Sequence, residues 1–292
     1  MSQIKRLQTI DADTLQSTAY EPVSFVVDDL LPQGLHLLAG APKIGKSWLA
    51  LWLCLCAAQG KPLWTFATRS CEVLYLCLED SFQRIQSRLF DLTEDAPPTL
   101  HFAVMSQQLH NGLVEQIEQF LKEHPQTRLI VIDTLQRIRT AGNDANPYAN
   151  DYRDIGVLKA LADKHRIAIL LVHHLRKMSD DDPINMISGT TGLSGATDSN
   201  FVLRKSQRRE NTATLYCTGR DIPYRELALE FDGEDHVWKL LSDDCEQAEL
   251  PSERILFLLS ELLRQQPEIS APAKVLLEKI DPAGTELSLI HI

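Results

Sequence analysis

Short apolar runs recur along the chain, separated by segments of helical spacing. Gly34-Leu-His-Leu-Leu-Ala39, Glu72-Val-Leu-Tyr-Leu-Cys-Leu78, Arg128-Leu-Ile-Val-Ile-Asp133 and Ile167-Ala-Ile-Leu-Leu-Val-His-His174 each read as a buried strand. A shorter run, His101-Phe-Ala-Val-Met105, reads as another. Between them, Ser47–Ala58 reads as a helix buried nearly all round, and Phe82–Leu92 as a helix capped by Ser81 with a polar, basic face. Leu113–His124 is amphipathic, and Asp151–His165 completes the alternation after a polar loop over Arg137–Asn150. Strands alternating with helices at this spacing predict an α/β domain, a mostly parallel sheet flanked by helices on both faces.

The pattern changes beyond His174. Leu175–Gly195 is a long loop rich in Asp, Ser, Gly and Thr, a length that compact domains reserve for functional or mobile segments. Asn200–Lys205, Thr212–Thr218, Leu227–Phe231 and His236–Leu240 alternate and predict two antiparallel hairpins extending the sheet. Residues 1–33 read as an irregular lead-in draped over the first strand, and residues 34–241 as the main domain. A helical segment over 251–286, with helices at Ser252–Arg264 and Ala271–Ile280, has the look of a truncated helix-turn-helix; the tail over 287–292 reads as non-native.

At 292 residues and 44% hydrophobic, the chain can bury a full α/β core. A net charge of -11 argues against a surface coated for non-specific nucleic-acid binding, though it leaves room for a local basic groove. The cysteines at 54, 56, 71, 77, 217 and 245 form no C-x-x-C pair and no zinc spacing, and read as buried thiols of a reducing cytoplasm. No apolar stretch is long enough to span a bilayer and no signal peptide opens the chain, so the expectation is a soluble, cytoplasmic protein without membrane partners.

Candidate chemistry centres on Gly40-Ala-Pro-Lys-Ile-Gly-Lys-Ser47, which fits G-x-x-x-x-G-K-[ST], the Walker A loop, between a predicted strand and a predicted helix. Glycines let successive N–H groups turn toward phosphate oxygens, and a helix N-terminus adds positive dipole. The expected nucleotide contacts are Gly40, Ala41, Pro42, Lys43, Ile44, Gly45, Lys46, Ser47 and Trp48. Lys46 would reach the β- and γ-phosphates of ATP, and Ser47 would ligate Mg²⁺. Asp133, ending an apolar strand, fits the Walker B acid that holds the Mg²⁺ shell. Thr134 follows it, so no glutamate stands where many AAA+ and ABC-type enzymes keep their base. Glu79, at the tip of another strand, is the candidate to orient or deprotonate the attacking water. A helix-capping acid is the ordinary alternative for Glu79, as a chance glycine turn is for the loop.

These residues resemble the RecA-like superfamily, with its glutamate on the strand next to Walker A. Leu74-Tyr-Leu-Cys-Leu-Glu-Asp-Ser81 with Arg84 and Arg88, Leu171-Val-His-His-Leu-Arg-Lys177 and Gly189-Thr-Thr-Gly-Leu-Ser-Gly-Ala-Thr-Asp198 look like its RepA branch, which includes plasmid hexameric replicative helicases and mobile-element ATPases. The likeness runs from about Asp28 to Leu241 and makes residues 34–241 an ATPase domain. It implies a RecA-like P-loop core, ATP and Mg²⁺ as ligands, a hexameric homo-oligomer and single-stranded DNA as partner. His173 or His174 then matches the position that senses the γ-phosphate. The loop Leu175–Gly195, with Arg176 and Lys177 at its base, and the loop Arg137–Asn150, with Arg137 and Arg139, match channel-facing loops; Asp180-Asp-Asp182 is an unfavourable charge for DNA there. Arg220 is the first choice for a cation donated to a neighbour's γ-phosphate, ahead of Arg204 and Lys205, with Arg208 and Arg209 read as a hairpin tip. Three functional readings follow: a RepA-like ring helicase, a non-translocating regulatory or loader ATPase that binds a partner protein, and a small-molecule kinase. The last has no evident acceptor pocket.

Overall fold

All seven residues of Gly34–Gly40 are buried, because this strand (β3) lies inside a nine-stranded sheet with helices on both faces. The computed structural model describes Leu7 and residues 9–139, 147–175, 192–205 and 210–245. The chain divides into two compact units, 1–244 and 245–292, and the second lies outside the described residues except for Cys245.

The strands are β1 (Phe25–Val27), β2 (Leu31–Pro32), β3, β4 (Glu72–Cys77), β5 (Leu100–Ala103), β6 (Thr127–Asp133), β7 (Ala168–His174), β8 (Ser199–Arg204), β9 (Thr212–Gly219), β10 (Arg225–Phe231) and β11 (Trp238–Cys245). The main sheet runs β11-β10-β9-β8-β3-β7-β6-β4-β5. From β8 through β5 every pairing is parallel, with Gly40 opposite both His174 and Leu203, and Cys77 opposite Asp133. The antiparallel pairs β8–β9 and β9–β10 extend the other edge, as the alternating late segments predict.

The helices are α1 (Ala12–Ser17), α2 (Lys46–Gln59), α3 (Phe82–Leu92), α4 (Val114–Glu123), α5 (Leu135–Ile138), α6 (Pro147–His165) and α7 (Gly192–Ala196). Strand pleating sorts β3 between two cores: Leu38 packs with α2 on one face, while Leu35, Leu37 and Ala39 pack with α4 and α6 on the other. Burial of α2 from Leu49 to Ala58 explains its lack of a polar face. Gly60, at φ 67, closes that helix by donating its N–H to the Cys56 carbonyl. Ser81 caps α3 by accepting from the Arg84 N–H, as the sequence implies.

Several expectations need correction. The lead-in is not irregular throughout: α1 is capped by Asp11, and β1 pairs with β2 to place Val26, Val27, Leu30 and Leu31 in the core. Helix α1 buries no residue, so no apolar period marks it. A kinked turn at Leu109–Leu113, with Asn111 and Gly112 out of helical geometry and Gly112 at φ 111, precedes α4. The polar loop after Asp133 opens with α5, and the long loop after His174 ends in α7. Asn200–Lys205 is more than half of a hairpin, since β8 also pairs parallel with β3. The predicted helices at 252–264 and 271–280 and the tail at 287–292 lie outside the described residues.

Candidate functional site

The loop Gly40–Ser47 joins the end of β3 to the start of α2, with Gly45 as N-cap at φ 106 and Lys43 at φ 62. No side chain caps α2, so its first-turn N–H groups stay open toward an anion. Glycine is required at both ends of the loop for contact reasons. A Cβ on Gly45 would come within 2.9 Å of the Trp238 ring, and one on Gly40 within 2.8 Å of the Leu203 carbonyl oxygen. The Trp238 indole N–H also donates to the Gly45 carbonyl at 3.2 Å, so the last described strand braces the loop.

Four charged or titratable groups converge beside it. Lys46 is buried, and its ammonium donates to the carbonyls of Gly40 (2.8 Å) and Ala41 (2.9 Å) and to His174 Nδ1 (3.1 Å). An ammonium has no lone pair, so Nδ1 accepts, and a neutral His174 ring carries its proton on Nε2. That nitrogen stands 4.0 Å from Glu79. Glu79 in turn accepts from the Thr134 hydroxyl at 3.2 Å and faces Arg137 at 3.8 Å. Asp133, buried at the end of β6, accepts from the Tyr75 hydroxyl at 2.9 Å and from Ser47. The peptide joining Asp133 to Thr134 is cis.

Electrostatics follow from burial. Desolvation pushes the Lys46 ammonium down to about 8, against the pull of Asp133 and Glu79. Burial raises the Asp133 carboxyl, and the hydroxyls of Ser47 and Tyr75 partly offset this. His174 is lowered, first by burial and then by the Lys46 charge. In this arrangement a buried cation is held by carbonyls and an imidazole rather than by a carboxylate, beside an acid that, among the described residues, is bound only by hydroxyls. It is a site with unspent capacity for both an anion and a divalent cation.

A family model described as "AAA domain" matches residues 2–180, well over half of the chain. The chain belongs to the AAA_25 family. No curated protein matches this AAA_25 chain. Among solved structures it is similar to one titled "ATPase Domain of G40P", at a TM-score of 0.60 and 16% identity over 72% of this chain and 85% of that one. A second, "The Structure Of A DnaB-Like Replicative Helicase And Its Interactions With Primase", gives a TM-score of 0.59 and 16% identity over 72% of this chain and 58% of that one. These likenesses establish the fold, a RecA-like P-loop core.

Within the AAA_25 domain the geometry sorts the remaining candidates. Gly40, Ala41, Pro42, Lys43, Ile44, Gly45, Lys46 and Ser47 form the loop, and Trp48 follows inside α2, stacked on His236 at 4.7 Å with Arg88 5.4 Å from its ring centre. His174 rather than His173 touches both Lys46 and Glu79. Glu79, expected to end a strand next to the Walker A strand, instead lies in the turn two residues past β4, which neighbours the Walker B strand; β7 and β6 lie between β4 and β3. Arg137 and Arg139, expected to face a channel, turn to Glu79 and to Asp154 (3.3 Å) of the same chain. Arg220 follows β9 at the sheet end opposite the loop, 3.5 Å from Asp198 and 65% exposed. Arg204 ends β8 beside Leu203, and Lys205 lies 5.3 Å from the Trp238 ring centre. Arg176, Lys177, Asp180–Asp182, Arg208 and Arg209 lie outside the described residues.

Sequence reasoning missed Tyr75 and Trp238. A lone tyrosine two positions before the end of a strand beside Asp133 is a usable signal for the first, once β4 and β6 are known to pair. Nothing local marks the second.

Proposed function

We propose that this chain is an ATP-binding and ATP-hydrolysing RecA-like ATPase acting on DNA in replication or recombination, working as a RepA-like ring helicase. The observation that carries this reading is the convergence of Lys46, Asp133, Glu79 and His174 on the open end of α2. Residues 34–241 form the ATPase domain in this reading, and a hexameric ring passes single-stranded DNA.

The loop N–H groups and Lys46 bind the phosphates, while Ser47 and Asp133 hold Mg²⁺. Bound there, the ion supplies charge neutralisation for the phosphoanhydride. Glu79, with its Oε1 held by Thr134, orients the attacking water and takes its proton. His174, bonded to Lys46 and close to Glu79, registers loss of the γ-phosphate and passes it to the segment that follows β7. Arg220 of a neighbouring subunit supplies the cation that steadies the departing charge.

The net charge of -11 favours a second reading, a non-translocating regulatory or loader ATPase that binds a partner protein. ATP turnover with and without single-stranded DNA, with ring formation followed by light scattering, separates the two. A ring whose turnover rises with DNA and collapses in Glu79→Gln supports the helicase reading. Turnover indifferent to DNA supports the loader, and full activity in Glu79→Gln removes the catalytic assignment altogether.

A further inference from the structure

A second cluster of titratable groups lies at the other end of β4. Glu72 opens that strand, His101 is the second residue of β5, and His124 caps the C-terminus of α4. The register sets Leu74 opposite His101, so pleating puts Glu72, Leu74 and His101 on one face of the sheet. Helix α4 covers that face through Ile117 and Leu121, which share a core with Leu74, and its end carries His124 to Glu72. Phe120 fixes both rings: it stacks on His124 at 4.3 Å and meets His101 edge-on at 5.3 Å.

We propose that Glu72, His101 and His124 form a binding site for a first-row divalent transition ion, Zn²⁺ foremost. Glu72 Oε1 lies 3.3 Å from His124 Nδ1 and 3.9 Å from His101 Nε2, and the three ligand atoms all lie within 4.8 Å of one another. Bonds of about 2.0–2.2 Å to a tetrahedral ion require ligand atoms roughly 3.3–3.5 Å apart, so small side-chain rotations close the set. The independent sign of a ligand is unmet bonding: Glu72 Oε2 and His101 Nε2 are buried without a hydrogen-bond partner.

Two imidazoles with one carboxylate suit zinc, cobalt, nickel or copper and disfavour magnesium and calcium, which prefer all-oxygen sets. The three side chains remain 21–29% exposed, which gives an ion a path in and leaves a coordination position for water. A bound ion would pin the edge strand β5 and the end of α4 to β4. The site is separate from the nucleotide loop, since Glu72 and Cys77, the partner of Asp133, stand at opposite ends of one strand.

The test uses the full chain without a histidine tag, stripped with chelator and titrated calorimetrically with ZnCl₂. One equivalent is expected to bind at micromolar Kd or tighter, with a rise in Tm. Glu72→Gln, His101→Ala and His124→Ala are each expected to weaken binding at least tenfold, while Asp133→Asn keeps it. X-ray absorption on the zinc-loaded wild-type chain should read two imidazoles and light oxygen ligands, which keeps the test valid where a variant misfolds. No binding, binding untouched by all three substitutions, loss only in Asp133→Asn, or a sulfur shell would each overturn the proposal.

Discussion

Asp133 and Asp198 are both buried at ends of central strands, yet their surroundings differ in kind. Asp198 lies at the end of the parallel strands where β3 begins. It accepts from the Leu35 N–H at 2.8 Å, pairs with Lys159 at 3.0 Å and with Arg220 at 3.5 Å. Gly34, at φ 125, leaves the space it needs: a Cβ there would lie 2.5 Å from the Asp198 carboxylate. Asp133, at the opposite end, receives only the hydroxyls of Tyr75 and Ser47 and no cation in direct contact among the described residues. Two cations and an amide complete the first acid; the second keeps a raised pKa, because burial outweighs its two hydroxyls and the more distant Lys46 charge. A matched acid holds strands together, and an unmatched one is open to the ion proposed for it.

Arg220 is the residue best able to break this contrast, because it belongs to the clamp by contact and to a neighbour's site by proposal. Arg220→Ala is expected to lower ring ATPase turnover by about 10³-fold. Arg220 itself is largely exposed, and the buried Asp198 keeps Lys159 and the Leu35 N–H, so the stability loss should stay within about 1 kcal/mol. Urea unfolding beside steady-state kinetics reads both, and a loss confined to stability would leave Arg220 in the clamp alone.

Exchanging the acids sharpens the contrast. Asp133→Asn is expected to cut turnover at least about 10²-fold, with Tm unchanged or higher, since the amide oxygen still accepts from Tyr75 and Ser47. Asp198→Asn should do the reverse. Weakening a buried pair costs roughly 3 kcal/mol, measured by denaturant midpoint, while turnover per folded molecule survives. Equal effects of the two substitutions on both readouts would erase the distinction.

The most gradual effect is in pH. The folded Lys46 pKa of about 8 lies below its ordinary value of 10.5, so the unfolded chain binds more protons between those values. Stability of the nucleotide-free chain should therefore rise with pH across that window, by at most about 1.4 kcal/mol per unit from this group. Lys46→Met should remove that slope, as differential scanning calorimetry at several pH values would show. His174, also lowered, adds a rise in the same direction below pH 6.5.

Much of this was legible in the amino-acid order, for identifiable reasons. The loop at Gly40–Ser47 and the strand-end position of Asp133 are local patterns, fixed by spacing and apolar period, whereas Glu79 falls in the turn past β4 rather than at its end. Tyr75 reaches Asp133 across 58 positions and Trp238 reaches Gly45 across 193, separations that no local pattern spans. The lateral order of strands was equally hidden. Each strand's apolar run shows that it is buried, not which neighbour it pairs with, so the places of β7 and β6 between β3 and β4 emerge only from tertiary structure. The β1–β2 ribbon was missed because its strands are too short for a period to show.

The indole of Trp238 against Gly45 also has a bearing on synthesis. A ribosome must release the chain through β11 before the loop near its start acquires its final brace. Translation at about 5–20 residues per second puts some ten to forty seconds between the two. During that interval the nascent strand–loop–helix is expected to hold nucleotide poorly, so capture of ATP would mark a nearly finished domain.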